Sequence, residues 1–185
     1  MEYKIKRLNR ELVYQGSIVD VYADEMQLPD GSKEKWDFVS HRKGAAAVVA
    51  VREDGKLLLV RQYRNALNRE TLEITAGSRD SVNEDTAVCA RRELEEETGY
   101  QCGSLKKLLE LKTTVAFCDE FIDVYLATDL KPGKQHLDAG EDIKIEAYEL
   151  SELVKMIFEG KIQDSKTVAG ILAYQNLVLT NKNNN

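Results

Sequence analysis

Four carboxylates crowd into five consecutive positions of Arg92-Glu93-Leu94-Glu95-Glu96-Glu97-Thr98-Gly99, and this run constrains the chain more than any other. On a helix of 3.6 residues per turn, Glu93 and Glu97 stack at i,i+4. Glu96 lies one step around the same face, and Glu95 points away. At about 4 Å and an effective dielectric near 20, each like-charged pair costs roughly 4 kcal/mol. A divalent cation turns that cost into binding. Hard oxygen donors suit Mg²⁺, an ion that keeps several waters and bridges to phosphates. The plainer reading is a solvated acidic face that pairs with Arg91 and Arg92.

The chain has 185 residues, 43% of them hydrophobic, enough for one well-packed domain with accessory structure. A net charge of −6 leaves no basic footprint for duplex nucleic acid. Cys89, Cys102 and Cys118 are odd in number, and their spacing matches neither zinc ligation nor a disulfide framework. They read as reduced structural thiols of a cytoplasmic protein. The N-terminus lacks the apolar stretch of a signal peptide, and no run approaches the roughly 20 apolar residues of a membrane span.

Residues 3–41 are rich in β-branched and aromatic residues. The turn signal Pro29-Asp30-Gly31-Ser32 separates alternating runs at 17–28 and 33–41, which predicts a β-hairpin. Residues 45–52 and 56–64 flank Glu53-Asp54-Gly55 as a second hairpin of buried strands. A short strand at 71–75 precedes a helix over 82–98. Ser81 and Glu84 stand at capping-box spacing before that helix, and Gly99 stands where a left-handed terminating residue belongs. Ala87, Ala90 and Leu94 form its apolar stripe, so the glutamates border the core at the solvent edge. Strands near 104–111, 120–128 and 143–148 and helices at 151–159 and 165–180 complete a mixed sheet with packed helices.

The segment 77–100 closely resembles the Nudix box, the signature of hydrolases that cleave a nucleoside diphosphate linked to another group. Glu84, the seven residues after it, Arg92, Glu93, Leu94, Glu96, Glu97 and Gly99 match the family pattern. Six residues rather than five separate Gly77 from Glu84. This reads as a longer loop, because Leu72-Glu73-Ile74-Thr75-Ala76-Gly77 resembles the family's lead-in. Val60-Arg61-Gln62-Tyr63-Arg64, Leu72-Glu73, Phe117-Cys118-Asp119-Glu120, Gly160-Lys161-Ile162 and Lys166-Thr167 are similar to the ADP-ribose pyrophosphatase branch. Thr114-Val115-Ala116 departs from it, standing where that group often has Ser-Pro-Gly.

The resemblance implies an α+β fold, a Nudix α/β/α sandwich with a mixed sheet and an N-terminal β-hairpin extension. It divides the chain into an extension at 1–43 for dimerisation and nucleobase contact, a catalytic domain at 44–180 and a polar tail at 181–185. It implies a homodimer that hydrolyses ADP-ribose to AMP and ribose 5-phosphate with Mg²⁺, or with Mn²⁺ in its place. The metal ligands would be Glu93, Glu97 and the Ala76 carbonyl, with Glu96 in support. Arg92 would orient these carboxylates. Glu84 is either a supporting carboxylate of the metal site or the capping partner of Ser81. Glu141, in Asp138-Ala139-Gly140-Glu141-Asp142, is the general-base candidate, with Asp142 and Glu146 behind it; its alternative is a plain acidic surface loop. Arg64 would contact the substrate phosphates and Glu73 would bind metal or ribose, or fix Arg64. The plainer reading of Arg64 is a strand-end ion pair. Trp36 would stack on the nucleobase, against the alternative of interface packing. His41 and His136 lack a partner pattern and read as surface residues. The rivals are a hydrolase of another nucleotide sugar, such as GDP-mannose, and a sensor that binds ADP-ribose without turnover. Box carboxylates are commonly lost in such sensors and all stand here.

Overall fold

The computed structural model describes residues 4–137, 140 and 142–183. Asp138, Ala139 and Glu141, and with them the general-base candidate, lie outside the described residues. Two compact units emerge. The first holds residues 1–44 and 112–121, and the second residues 45–111 and 122–185.

In the first unit, β1 (Lys6–Gln15), β2 (Val19–Gln27) and β3 (Lys33–His41) form an antiparallel sheet in that order. The hairpin expected around Pro29-Ser32 is present as β2 and β3, paired from Val19↔His41 to Gln27↔Lys33. Asp30 closes its turn by accepting the Ser32 amide at 2.9 Å. The unforeseen part is β1, which turns the hairpin into a three-stranded sheet. Arg10 on β1 explains its attachment, since its guanidinium forks onto Asp24 with two bonds of 2.6 Å and lies 3.8 Å from the centre of the Phe38 ring. The segment 112–121 is tied to β3 through the Val39 amide, which donates to the Phe117 carbonyl at 2.7 Å. His41 is no surface residue. Its side chain is 10% exposed, beside Glu120 at 3.6 Å.

The second unit is built on β4 (Ala45–Val51), β5 (Leu57–Arg64), β6 (Arg69–Glu73), β7 (Thr75–Ser78), β8 (Tyr100–Lys112), β9 (Phe121–Pro132) and β10 (Lys144–Tyr148). Three helices accompany them: α1 (Thr86–Thr98), α2 (Leu150–Phe158) and α3 (Ser165–Asn183). The main path runs β10-β5-β4-β9-β8, with β6 beside β5 and β7 beside β4. β4 runs parallel to β9 and antiparallel to β5 and β7, so the sheet is mixed. Every residue of β4 is buried, as expected of a strand covered on both faces. One face carries Val49, Leu59, Ile74 and Val124 against Leu153 of α2 and Ile171 of α3. The other carries Val48, Leu58 and Ala127 against Cys89, Ala90 and Leu94 of α1. This is the α/β/α layering. α3 approaches so closely that a Cβ on Gly170 would stand 3.0 Å from Val49. α3 also continues through Asn183, into the segment read as a tail.

One detail of the register positions the site. β4 and β5 pair only beside their shared turn, at Ala50↔Leu58 and Val51↔Leu57. Beyond it they part, and β6 follows β5 while β7 follows β4. The chain crosses from one to the other at Ile74, so Glu73 ends β6 beside β5 and Ala76 lies on β7 beside β4.

Candidate active site

The acidic helix begins later than its sequence pattern suggests. Asp85, in extended conformation, is the N-cap, and its carboxylate accepts the Ala87 amide at 2.7 Å. Ser81 does not cap. Arg79 donates to the carbonyls of Val82 at 2.8 Å and Glu84 at 3.0 Å, which holds the loop in a turn. Glu84 accordingly takes the Asp80 amide at 2.7 Å and faces Arg92 at 3.4 Å, so it supports the arginine and is not part of a capping box. At the other end Gly99 adopts φ 67, and its amide donates to the Glu95 carbonyl at 2.8 Å, the left-handed termination expected there.

On the face between these ends, the Arg92 Nη1 donates to Glu93 at 2.7 Å and Glu96 at 2.9 Å, while Nη2 donates to the Ser78 carbonyl at 3.0 Å. Burial works against the arginine's charge, but Glu84, Glu93 and Glu96 outweigh it and raise its pKa above the ordinary value. Glu97 is 4% exposed and its carboxylate accepts the Ala76 amide at 3.3 Å. Glu93 lies against Gly77, where a Cβ would come within 2.0 Å of its carboxyl carbon. That close approach identifies Gly77, not Ser78, as the glycine the helix requires, in keeping with the longer loop. Glu95 points elsewhere, accepting from Gln101 at 2.7 Å.

Arg64 ends β5 and forks onto Glu73 through Nε at 2.8 Å and Nη2 at 2.6 Å. Glu73 is 1% exposed and also accepts from Thr71 at 2.6 Å and Lys166 at 2.5 Å. Four donors therefore fill two carboxylate oxygens, whose capacity is about four lone pairs. Burial alone would raise the Glu73 pKa. Arg64, Lys166 and Thr71 reverse this and bring it to about 2. Glu73 thus stands behind Arg64 with no capacity left for a ligand, and of its expected roles the geometry leaves that of fixing the arginine. The negative charge of Glu97 bears on the Arg64 guanidinium, which places the acidic helix and the arginine in one electrostatic neighbourhood.

The donor set fits a hard divalent cation. Glu93 and Glu97, one helical turn apart, both lie along the Ala76-Gly77 segment of β7. It is not a finished cage, because no three acidic, histidine or cysteine side chains among the described residues converge on one point. Arg92 instead draws Glu93 and Glu96 together. Of the supporting acids, Glu146 on β10 is hydrogen-bonded by Arg61 and Tyr148, which hold its pKa below the ordinary range. Trp36, in the first unit, is 40% exposed, and its indole N–H donates to Glu34 at 3.1 Å. The three cysteines are free; burial, chiefly, pushes the Cys89 thiol up to about 12. No helix among the described residues is long and apolar enough to cross a membrane.

Sequence reasoning gave no role to Asp164, Lys166 or Thr71. A buried lysine is recognisable only once its partners are known, and Glu73 lies 93 positions from Lys166.

Comparisons with known proteins find relatives that match most of the chain. The chain is 35% identical over 168 residues to an ADP-ribose pyrophosphatase of Bacillus subtilis, covering 90% of each chain. It is 37% identical over 171 residues to a methanol dehydrogenase activator of Bacillus methanolicus, covering 91% of each. A crystal structure of an ADP compounds hydrolase superposes with a TM-score of 0.85 at 20% identity, over 97% of this chain and 96% of that one, and shows the same fold. The NUDIX domain model matches residues 41–170, and with the Arg92-to-Thr98 part of the pattern folded as a helix against Ala76-Gly77, the chain belongs to the Nudix family and is a Nudix hydrolase.

Proposed function

We propose that this protein hydrolyses the diphosphate of ADP-ribose to AMP and ribose 5-phosphate in the presence of Mg²⁺, for which Mn²⁺ substitutes. One observation carries the reading. Glu73 pins a phosphate-type arginine, Arg64, within electrostatic reach of Glu97 on the acidic helix. The remaining guanidinium edge, for phosphate oxygens, and the hard donors, for a cation, would thus serve one substrate group. The similarity to the Bacillus subtilis ADP-ribose pyrophosphatase supports the choice of substrate.

When bound, the divalent ion would lower the pKa of an attacking water and neutralise charge on the diphosphate. Glu93, Glu97 and the Ala76 carbonyl would hold it, with Glu96 in support and Arg92 keeping the carboxylates in register. Arg64 uses Nε and Nη2 for Glu73 and keeps its Nη1 edge for phosphate oxygens. Glu141 takes the proton of the attacking water as general base. Trp36 stacks on the adenine. The protein acts as a homodimer, which the exposed Leu8, Leu12, Val13 and Tyr14 on strand β1 support.

AMP release measured over ADP-ribose, ADP-glucose, GDP-mannose and NADH, with and without Mg²⁺, tests the reading. ADP-ribose is expected to turn over fastest and only with metal. A faster reaction on GDP-mannose would move the assignment to another nucleotide sugar. No turnover on any of them would leave a binding protein without catalysis.

A further inference from the structure

The N-terminal turn of α3 reaches two parts of the site at once. Lys166 is 7% exposed, and its ammonium donates to Glu73 at 2.5 Å and Asp164 at 2.9 Å. Thr167 is fully buried. Its hydroxyl donates to Asp164 at 2.5 Å and accepts the Ile74 amide at 3.0 Å, and its own amide donates to Asp164 at 3.0 Å. Asp164 is therefore a common anchor for both side chains. One arm leads through Glu73 to Arg64. The other leads through Ile74, at the crossing between β6 and β7, to Ala76 and Gly77.

We infer that Lys166 and Thr167 are positioning residues: Lys166 aims Arg64 through their shared carboxylate Glu73, and Thr167 sets the Ala76-Gly77 strand against Glu93 and Glu97 through the Ile74 amide. The substrate arm of this inference rests on the proposed ADP-ribose hydrolysis. A buried ion pair is a poor device for stability alone, since replacing both partners together by well-packed apolar side chains is often neutral or better. Its use is directional. Glu73 has two oxygens, and with Lys166 and Thr71 each occupying one, Arg64 is left a single bidentate geometry. Thr167 acts differently. The hydroxyl has one proton, and Asp164 takes it, so a lone pair is turned toward Ile74. That bond fixes the backbone two residues before Ala76.

The two arms make separable predictions in the full-length protein, with Lys166→Met, Lys166→Arg, Thr167→Val and Thr167→Ser compared. Lys166→Met is expected to raise the KM for ADP-ribose about tenfold, the usual scale for partners that orient a binding group, while Mn²⁺ affinity measured by electron paramagnetic resonance without substrate stays unchanged. Thr167→Val is expected to weaken that Mn²⁺ affinity about tenfold. Lys166→Arg and Thr167→Ser restore most of each loss. Lower thermal midpoints with KM and Mn²⁺ affinity both unaltered would overturn the inference in favour of a purely structural role. If the wild type turns over no ADP-ribose, the proposed function fails by itself. The Lys166 arm is then decided by the Arg64 Nε–H resonance in ligand-free protein, which Lys166→Met must shift for the inference to stand and whose constancy overturns it.

Discussion

The Arg92 Nη1 lies 2.7 Å from Glu93 and 2.9 Å from Glu96, so one cation joins two carboxylates that helix geometry forces onto the same face. Without it their repulsion is unopposed until metal arrives. Arg92→Ala is expected to lower kcat/KM by roughly 10–100-fold. Arg92→Lys should recover little, because an ammonium cannot fork between Glu93, Glu96 and the Ser78 carbonyl. Steady-state kinetics at saturating Mg²⁺ check this, and near-wild-type turnover in Arg92→Ala would remove the arginine from the site.

Gly77→Ala probes the packing of Glu93. The new methyl would stand about 2 Å from the carboxyl group, so either the strand or Glu93 must move. The expected result is an intact circular dichroism spectrum with a Mg²⁺ requirement shifted at least about tenfold upward. A variant with the wild-type Mg²⁺ dependence would show that Glu93 need not lie on this strand.

The Glu73 pKa, lowered from 4.5 to about 2, has a consequence for acid stability. A depressed carboxylate contributes stability that is present above its unfolded value and is lost as pH falls through its folded one. Stability should therefore decline between about pH 4.5 and about pH 2, and this part of the decline should vanish in Glu73→Gln. At neutral pH the same substitution leaves Lys166 and Arg64 without their counterion and is expected to cost roughly 3 kcal/mol or more. Urea denaturation across this pH range measures both effects. Equal slopes in the two proteins would refute the assignment.

Asp85→Ala and Ser81→Ala separate the two placements of the helix start. Removal of the Asp85 cap should cost about 1 kcal/mol, whereas Ser81→Ala should lie within about 0.5 kcal/mol of wild type. Thermal denaturation of the two variants decides between them, and the opposite ranking would restore the earlier start.

Local chemistry was legible where it acts over a few residues. The Pro29-Ser32 turn, the Glu93/Glu97 stacking and the Gly99 termination all depend on neighbours within about one helical turn, and the structure has each of them. The helix start was misread because Ser81 and Glu84 satisfy a local pattern that Arg79 overrides by binding the carbonyls of Val82 and Glu84. β1 was not resolved as a third strand, since what fixes it is Arg10 meeting Asp24 across 14 positions. Glu73 was legible as a partner that fixes Arg64 but not as a saturated carboxylate. That required Lys166, which no spacing rule could bring to it.

Strand β4 holds no acid, base or nucleophile, yet it sets the tolerances of everything around it. Its residues alternate beneath α1 on one face and α3 on the other, with Ala46 facing the first and Ala47 the second. Those alanines act as a gauge, fixing how near each helix may come to the sheet and so how far the acidic face stands from Ala76 and how far Lys166 stands from Glu73. A methyl group added to either would bear on one of these spacings without touching a reactive atom. The most chemically silent strand of the molecule is for that reason among the least free to vary.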